Sequence, residues 1–292
     1  MIKNVVTAFD LTPLDETLVK AIRQLPDADE IERLYFVHIM KDLNIPDGLT
    51  ASFQKLFAPE QPLDERIEAE MAQTVEQTLG EMPGVRIDVD VIEGHPEKKL
   101  LEWVKLKNAD LLVLGKKRVS GGGVVARRIA SQAPCHTLFV PYEQEPKMES
   151  ILVPIDFSKN SMRALEQALK WKHKRPGLQI TALHLAEYLP SGYYMNIKDQ
   201  SRFNELVKVA AKEAFDEFLK AGKFDPEQME IVIWGEEDGN VSERILEFAN
   251  LRQMDTIVLG AKGHSALERF FFGSVTEHLL GLIFKQLVLI VR

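Results

Sequence analysis

The chain has 292 residues, 45% hydrophobic and 27% charged, with a formal net charge of −8; this length suits two domains of roughly 100–200 residues each. The balance excludes a disordered chain, which lacks the apolar surface to offset its ordering entropy, and the negative charge argues against a nucleic-acid coat, which needs a basic face. A single cysteine, Cys135, allows no intrachain disulfide and suits a reducing, cytoplasmic setting.

In chain order, Met1 to Asp10 holds a short apolar run without a small-residue cleavage site, so it reads as a strand and not as a signal peptide. The run Asn4 to Asp10 returns as Ser150 to Asp156, each aspartate closing an apolar stretch. Phe36 to Ile39 returns as Ala182 to Leu185, and both pairs lie 146 residues apart. Lys98 to Val104 is matched by a helical stretch from Val241 to Ala249. Ala109 to Gly115 returns as Met254 to Gly260, now 145 apart, and His136 to Val140 returns as Leu287 to Val291, 151 apart. Anchors kept in order mark an internal repeat. The acidic, proline-containing stretch Tyr142 to Lys147 lies between the copies as a linker, which places the domains at residues 1–146 and 147–292. The last apolar stretch, Leu279 to Val291, is broken by Lys285 and Gln286 and falls short of the roughly 18–20 residues of a membrane span.

Short apolar runs predict strands buried on both faces, as in a parallel sheet. The longer stretches between them carry apolar residues three and four apart, such as Leu206, Val209, Ala210, Phe215 and Phe218, and predict amphipathic helices. Alternation of the two predicts an α/β fold with right-handed crossovers, about five strands and four helices per copy. Strand order is not readable from the sequence.

Open parallel sheets bind ligands beyond the carboxyl ends of their strands. In the second copy those ends carry Asp156, then Leu185 to Glu187, then Gly260. After Gly260 comes Gly263, and nine residues later Gly273 and Ser274 open a helix running from Val275 to Leu280. Closely spaced glycines let a loop turn with its amides exposed. A helix start adds unpaired N–H groups and a partial positive charge, which suits phosphate, and Ser274 adds a hydroxyl. Each feature has a plainer reading. A glycine ending a strand often only turns the chain, a Gly-Ser pair often only caps a helix, and Asp156 is placed to cap the next helix. His184 faces the sheet interior by alternation and reads as a hydrogen-bonded structural histidine. No other phosphate-binding glycine pattern competes.

The spacing Gly260-x-x-Gly263, nine residues, then Gly273-Ser274 resembles the ATP-binding signature of the universal stress protein family. Val275 to Glu277, the opening strand Ile151 to Ser158 and the His184-Leu185 pair are also similar to that family, and the likeness covers nearly all of both halves. By this resemblance each domain is a five-stranded parallel sheet with helices on both faces. Asp156 contacts the adenine or ribose side, the backbone of Pro154 and Ile155 shapes that pocket, and Leu185 lies against adenine. Gly260, Gly263, Gly273 and Ser274, continuing into Val275 and Thr276, hold the ribose-phosphate part of ATP, with Mg²⁺ or Mn²⁺ bridging phosphate oxygens. Lys262, His264 and Arg269 lie in the intervening loop, either approaching phosphates or simply solvated. The last strands of relatives pair across a twofold axis, so Thr137 to Val140 and Val288 to Val291 are candidates for an internal pseudo-dimer, which covers edges otherwise open to aggregation.

The first half departs from the pattern. After Gly115, Arg118 stands where the second motif glycine belongs, and the loop is about six residues shorter, which sets Gly122 and Gly123 opposite Gly273 and Ser274. A shorter loop without the serine is expected not to hold ATP tightly. Lys116, Lys117, Arg118, Arg127 and Arg128 form a basic cluster there, either solvated or attracting a different anion. Residues 1–146 carry a net −7 and residues 147–292 a net −1, weakly favouring a polyanion in the second half. The segments Asn44 to Pro62 and Leu189 to Arg202, with Tyr193 and Tyr194, are candidate lids or partner surfaces.

The leading expectation is a stress-response ATP-binding sensor or regulator with an unidentified protein partner. No nucleophile triad, zinc spacing or paired carboxylates accompany the cradle. Slow ATP hydrolysis, or an interaction protein that has lost nucleotide binding, remain the alternatives.

Overall fold

Runs of valine, isoleucine and leucine form strands that bury both faces, and the polar-faced stretches between them form helices. The structure, a computed structural model, describes residues 1–41, 62–116, 124–142, 145–188, 197–236, 240–261, 272–282 and 285–292. The chain divides into two units, Met1–Glu145 and Pro146–Arg292. The first contains β1 (Asn4–Phe9), α1 (Leu14–Gln24), β2 (Arg33–Met40), α2 (Leu63–Leu79), β3 (Arg86–Glu93), α3 (Pro96–Leu106), β4 (Leu111–Lys116), α4 (Val124–Gln132) and β5 (His136–Pro141). The second contains β6 (Ser150–Pro154), α5 (Lys159–Lys174), β7 (Gln179–Glu187), α6 (Ile197–Gly222), β8 (Glu230–Glu236), α7 (Val241–Leu251), β9 (Thr256–Gly260), α8 (Ser274–Leu282) and β10 (Leu287–Val291).

Strand order is the same in both: β3-β2-β1-β4-β5 in the first and β8-β7-β6-β9-β10 in the second, with every pair parallel. The order reverses direction beside the first strand of each unit, so a crevice opens between the carboxyl ends of β1 and β4, and of β6 and β9. The central strands of the two units are fully buried at Val5, Leu112, Leu152 and Ile257.

One repeated anchor has a purely architectural role. Asp110 Oδ2 accepts from the N–H groups of Lys3 and Asn4, both at 2.9 Å. Asp255 Oδ2 accepts from those of Glu149 and Ser150, both at 3.0 Å. Each carboxylate satisfies the amides that start the first strand of its unit.

The helices before the last strands correct one sequence alignment. α4 starts at Val124 and α8 at Ser274, 150 residues apart, and their buried pairs Ile129–Ala130 and Leu279–Leu280 agree with that offset. Val124 therefore matches Ser274, and Ala126 matches Thr276, in place of the Gly123–Ser274 match expected from the last strands. The extra residue falls between these buried pairs and the last strands: five residues separate Ala130 from His136 and six separate Leu280 from Leu287.

Candidate functional site

β6 delivers Pro154, Ile155 and Asp156 to the crevice of the second unit. Phe157 then turns the chain with a left-handed φ of 62°, a conformation uncommon outside glycine. Aromatic packing braces it: the Phe157 ring lies 4.4 Å from His184 and 5.7 and 5.9 Å from Phe215 and Phe218. Asp156 is exposed, and its Oδ1 accepts from Ser158 N at 3.0 Å. The helix cap itself is Ser158, whose Oγ accepts from Ser161 N at 3.1 Å, so Asp156 shapes the turn while Ser158 serves as the α5 cap. In the neighbouring strand His184 Nδ1 donates to Ile155 O at 2.9 Å, tying β7 to the end of β6.

The other wall comes from β9 and α8. Gly260 lies against the start of α5: a Cβ there would meet the backbone of Asn160, with its C at 2.5 Å and its O at 2.6 Å. Close helix packing alone thus demands glycine at this strand end. The N–H of Gly273 donates to Ala261 O (3.2 Å) and is committed to closing the chain. The first rung of α8 is Glu277 N to Gly273 O (3.0 Å), so the amides of Ser274, Val275 and Thr276 precede the helical ladder and form its electropositive end. The Thr276 hydroxyl donates to Gly260 O at 3.4 Å. α7 steadies this end through Ser242 Oγ, which donates to Val275 O (3.1 Å), and Asn240 Oδ1, which accepts from His278 Nδ1 (3.1 Å).

Together these elements enclose a cleft of about 320 Å³, lined by Pro154, Ile155, Asp156, Leu185, Gly260, Gly273, Ser274, Val275 and Thr276. All of the expected site residues that the structure describes meet there; Gly263 and His264, with Lys262 and Arg269, lie outside the described residues. Sequence reasoning did not place Ser161, Leu183, His184, Val241, Ile245 and Leu259 in this lining. The i, i+4 pair Val241 and Ile245 at a helix start following a strand was the available signal. Among the described residues no group of three or more His, Cys, Asp or Glu side chains is placed to hold a metal ion.

The first unit repeats the frame with different chemistry. Leu11 has the same left-handed φ, 59°, and His38 Nδ1 donates to Phe9 O at 2.9 Å. The residue matching Ser161 is Asp15, buried beneath the turn, with oxygens that accept from Asp10 N and Thr12 N at 3.2 Å each. Burial, reinforced by the charge of Asp10, pushes the Asp15 carboxyl up to about 6. The crevice there measures about 260 Å³.

This doubled frame has counterparts. The profile of the universal stress protein family matches residues 1–141 and again residues 148–292. The chain belongs to the universal stress protein family. Universal stress protein MJ0531 of Methanocaldococcus jannaschii is 29% identical over 133 residues, 45% of this chain and 75% of that protein. A universal stress protein structure from Archaeoglobus fulgidus aligns over 99% of this chain and 96% of its own, with 17% identity and a TM-score of 0.62. A functionally unknown protein from Pseudomonas aeruginosa, PA1789, aligns over 99% and 92% at 13% identity, also with a TM-score of 0.62. These structural likenesses show the two-domain universal stress protein fold. Among the described residues no helix is long and apolar enough to cross a membrane.

Proposed function

We propose that the second unit binds ATP in the cleft between β6 and β9, and that the protein acts as a stress-response nucleotide sensor or regulator, not as a dedicated catalyst. The observation that carries this reading is the convergence of Asp156, Leu185, Gly260 and the first turn of α8 on one cleft. Adenine lies against Leu185 and Ile155, Asp156 accepts from the ribose side, and the phosphates meet the amides of Ser274 to Thr276 and the Ser274 hydroxyl. Apolar walls with a few convergent polar groups suit a base and sugar. Mg²⁺ or Mn²⁺ would be held chiefly by the phosphate oxygens and offset their charge. Of the titratable groups lining the cleft, Asp156 is held by Ser158 N and His184 by Ile155 O, an arrangement suited to positioning more than to proton transfer.

Calorimetric titration of the full chain with ATP and Mg²⁺ tests the reading, with about one ATP bound per chain as the expected result. Leu185→Trp fills the base side and abolishes binding, Ser274→Ala weakens it severalfold, and Ile39→Trp in the first unit leaves it unchanged. Absence of heat and of any thermal shift with ATP defeats the proposal in favour of a pure interaction role. Turnover of labelled ATP that disappears in Asp156→Ala defeats the non-catalytic part.

A further inference from the structure

The crevices of the two units correspond position by position. Thirteen described residues line the first, and twelve of them occupy the repeat position of a residue that lines the second. Asp10 matches Asp156, Ile39 matches Leu185, Leu100 matches Ile245 and Gly115 matches Gly260. The left-handed turn residue recurs, as does the histidine bond to the strand-end carbonyl. The volumes are about 260 and about 320 Å³. Strand ends and the helix before β4 or β9 therefore build the same half-site in both units.

The departures gather where the phosphates of ATP are placed in the second unit. Ser274 lines the second cleft, whereas its counterpart Val124 is not among the described residues lining the first. Thr276 gives way to Ala126, so both hydroxyls of the helix start are lost. Eight residues join Gly115 to Val124, against thirteen between Gly260 and Ser274. Ser161 lines the second cleft, and its counterpart is Asp15, a second carboxylate in the turn that carries Asp10. Its value of about 6 leaves it largely ionised at neutral pH, and like charge repels a phosphate chain. The cations Lys116 and Arg127 are not among the described lining residues and offer no evident offset within the crevice.

We propose that the first-unit crevice binds a purine nucleoside that carries no phosphate. The apolar side chains of Ile39, Leu100 and Ala126 suit the flat base. Asp10 suits the sugar, because vicinal ribose hydroxyls donate and a carboxylate has about four acceptor sites, one of them taken by the Thr12 hydroxyl. Which end takes base and which takes sugar rests on the ATP reading for the second unit; the match between the two linings does not. The two units then differ in one chemical property of the ligand, its phosphorylation.

Calorimetry on the full chain carrying Leu185→Trp, which closes the second cleft, tests this with adenosine, adenosine monophosphate and 2′,3′-dideoxyadenosine. Adenosine is expected to bind once per chain, and adenosine monophosphate at least about tenfold more weakly. Dideoxyadenosine is expected to bind severalfold more weakly, because Asp10 loses its donors. Adding Ile39→Trp abolishes adenosine binding, with far-ultraviolet circular dichroism confirming the fold. Ala126→Phe does the same from α4, so a misfolded strand variant leaves the helix variant to decide. Absence of heat with adenosine overturns the proposal. So does monophosphate or dideoxyadenosine bound as tightly as adenosine, or adenosine binding that survives the folded blocking variants. A parent chain that binds no ATP, beside a Leu185→Trp chain that binds adenosine, defeats only the reading of the second unit. ATP bound by the parent, with no adenosine bound by Leu185→Trp, defeats only this one.

Discussion

His184 Nδ1 lies 2.9 Å from the carbonyl oxygen of Ile155, and 146 residues earlier His38 Nδ1 lies 2.9 Å from that of Phe9. A carbonyl only accepts, so both imidazoles carry a proton on Nδ1. The bond appears in both units although only one keeps the glycine motif, which identifies it as part of the frame. Replacing either histidine by alanine leaves a strand-end carbonyl without this partner and is expected to cost about 1–2 kcal/mol, read from urea denaturation. His184→Ala is also expected to weaken ATP binding, because Ile155 and Asp156 lose their tie to β7, whereas His38→Ala leaves ATP affinity at the parent value. Equal ATP affinity in parent and His184→Ala excludes that coupling.

The two strand-end glycines separate packing from ligand contact. At Gly115 an added methyl meets Leu14 Cδ2 at 2.5 Å, the far end of a side chain that can swing aside. At Gly260 it meets the backbone of Asn160, which moves only with α5. Gly260→Ala is therefore expected to destabilise its unit by about 1–3 kcal/mol and Gly115→Ala by distinctly less. Thermal melts of both single variants check this, and equal losses contradict it.

Much of this arrangement was legible in the sequence, for identifiable reasons. β1, β4, β5 and their counterparts in the second unit are short apolar runs, so the repeat and both aspartate-ended strands stood out. β3 and β8 did not. Arg86 to Glu93 alternates charged and apolar residues, and the strand lies at the sheet edge, where one face needs no burial. The nine site residues that the structure describes line one cleft because strand ends and a helix start converge at a switch point. Two of the six missed ones, Val241 and Ile245, lie on α7, whose approach to α8 is a tertiary contact made by Ser242 and Val275. The helix-start register between the copies was off by one because the second unit has one residue more between its buried helix pair and its last strand. Placing that residue correctly requires knowing the helix boundaries, which sequence periodicity leaves open by a residue or two.

Asp15 gives the first unit a pH dependence. Its folded-state value of about 6 stands above the ordinary 3.8, because burial penalises the charged form. No penalty exists below the ordinary value, it grows as pH rises through 6, and it is complete above that. Lowering pH from 7.5 to 5 is thus expected to stabilise this unit by about 1 kcal/mol through this group, with the rest recovered only toward pH 4. Hydrogen exchange of β1 amides reports it. Asp15→Ser, which installs the second unit's residue, is expected to flatten the slope between pH 4 and 6; an unchanged slope assigns the dependence elsewhere.

Lys116 carries the opposite sign. Its ammonium is pulled from 10.5 down to about 8, chiefly by burial and then by Arg127. The folded unit therefore pays for the charged form at every pH below 8, and the cost fades as pH climbs from 8 past 10.5. Lys116→Met, which keeps the apolar stem and removes the charge, is expected to stabilise the chain at pH 7 by about 1–3 kcal/mol. That gain should shrink toward zero by pH 10.5, measured as the difference in urea midpoint between variant and parent. A gain that persists unchanged at high pH traces instead to better packing by methionine and removes Lys116 as a buried charge.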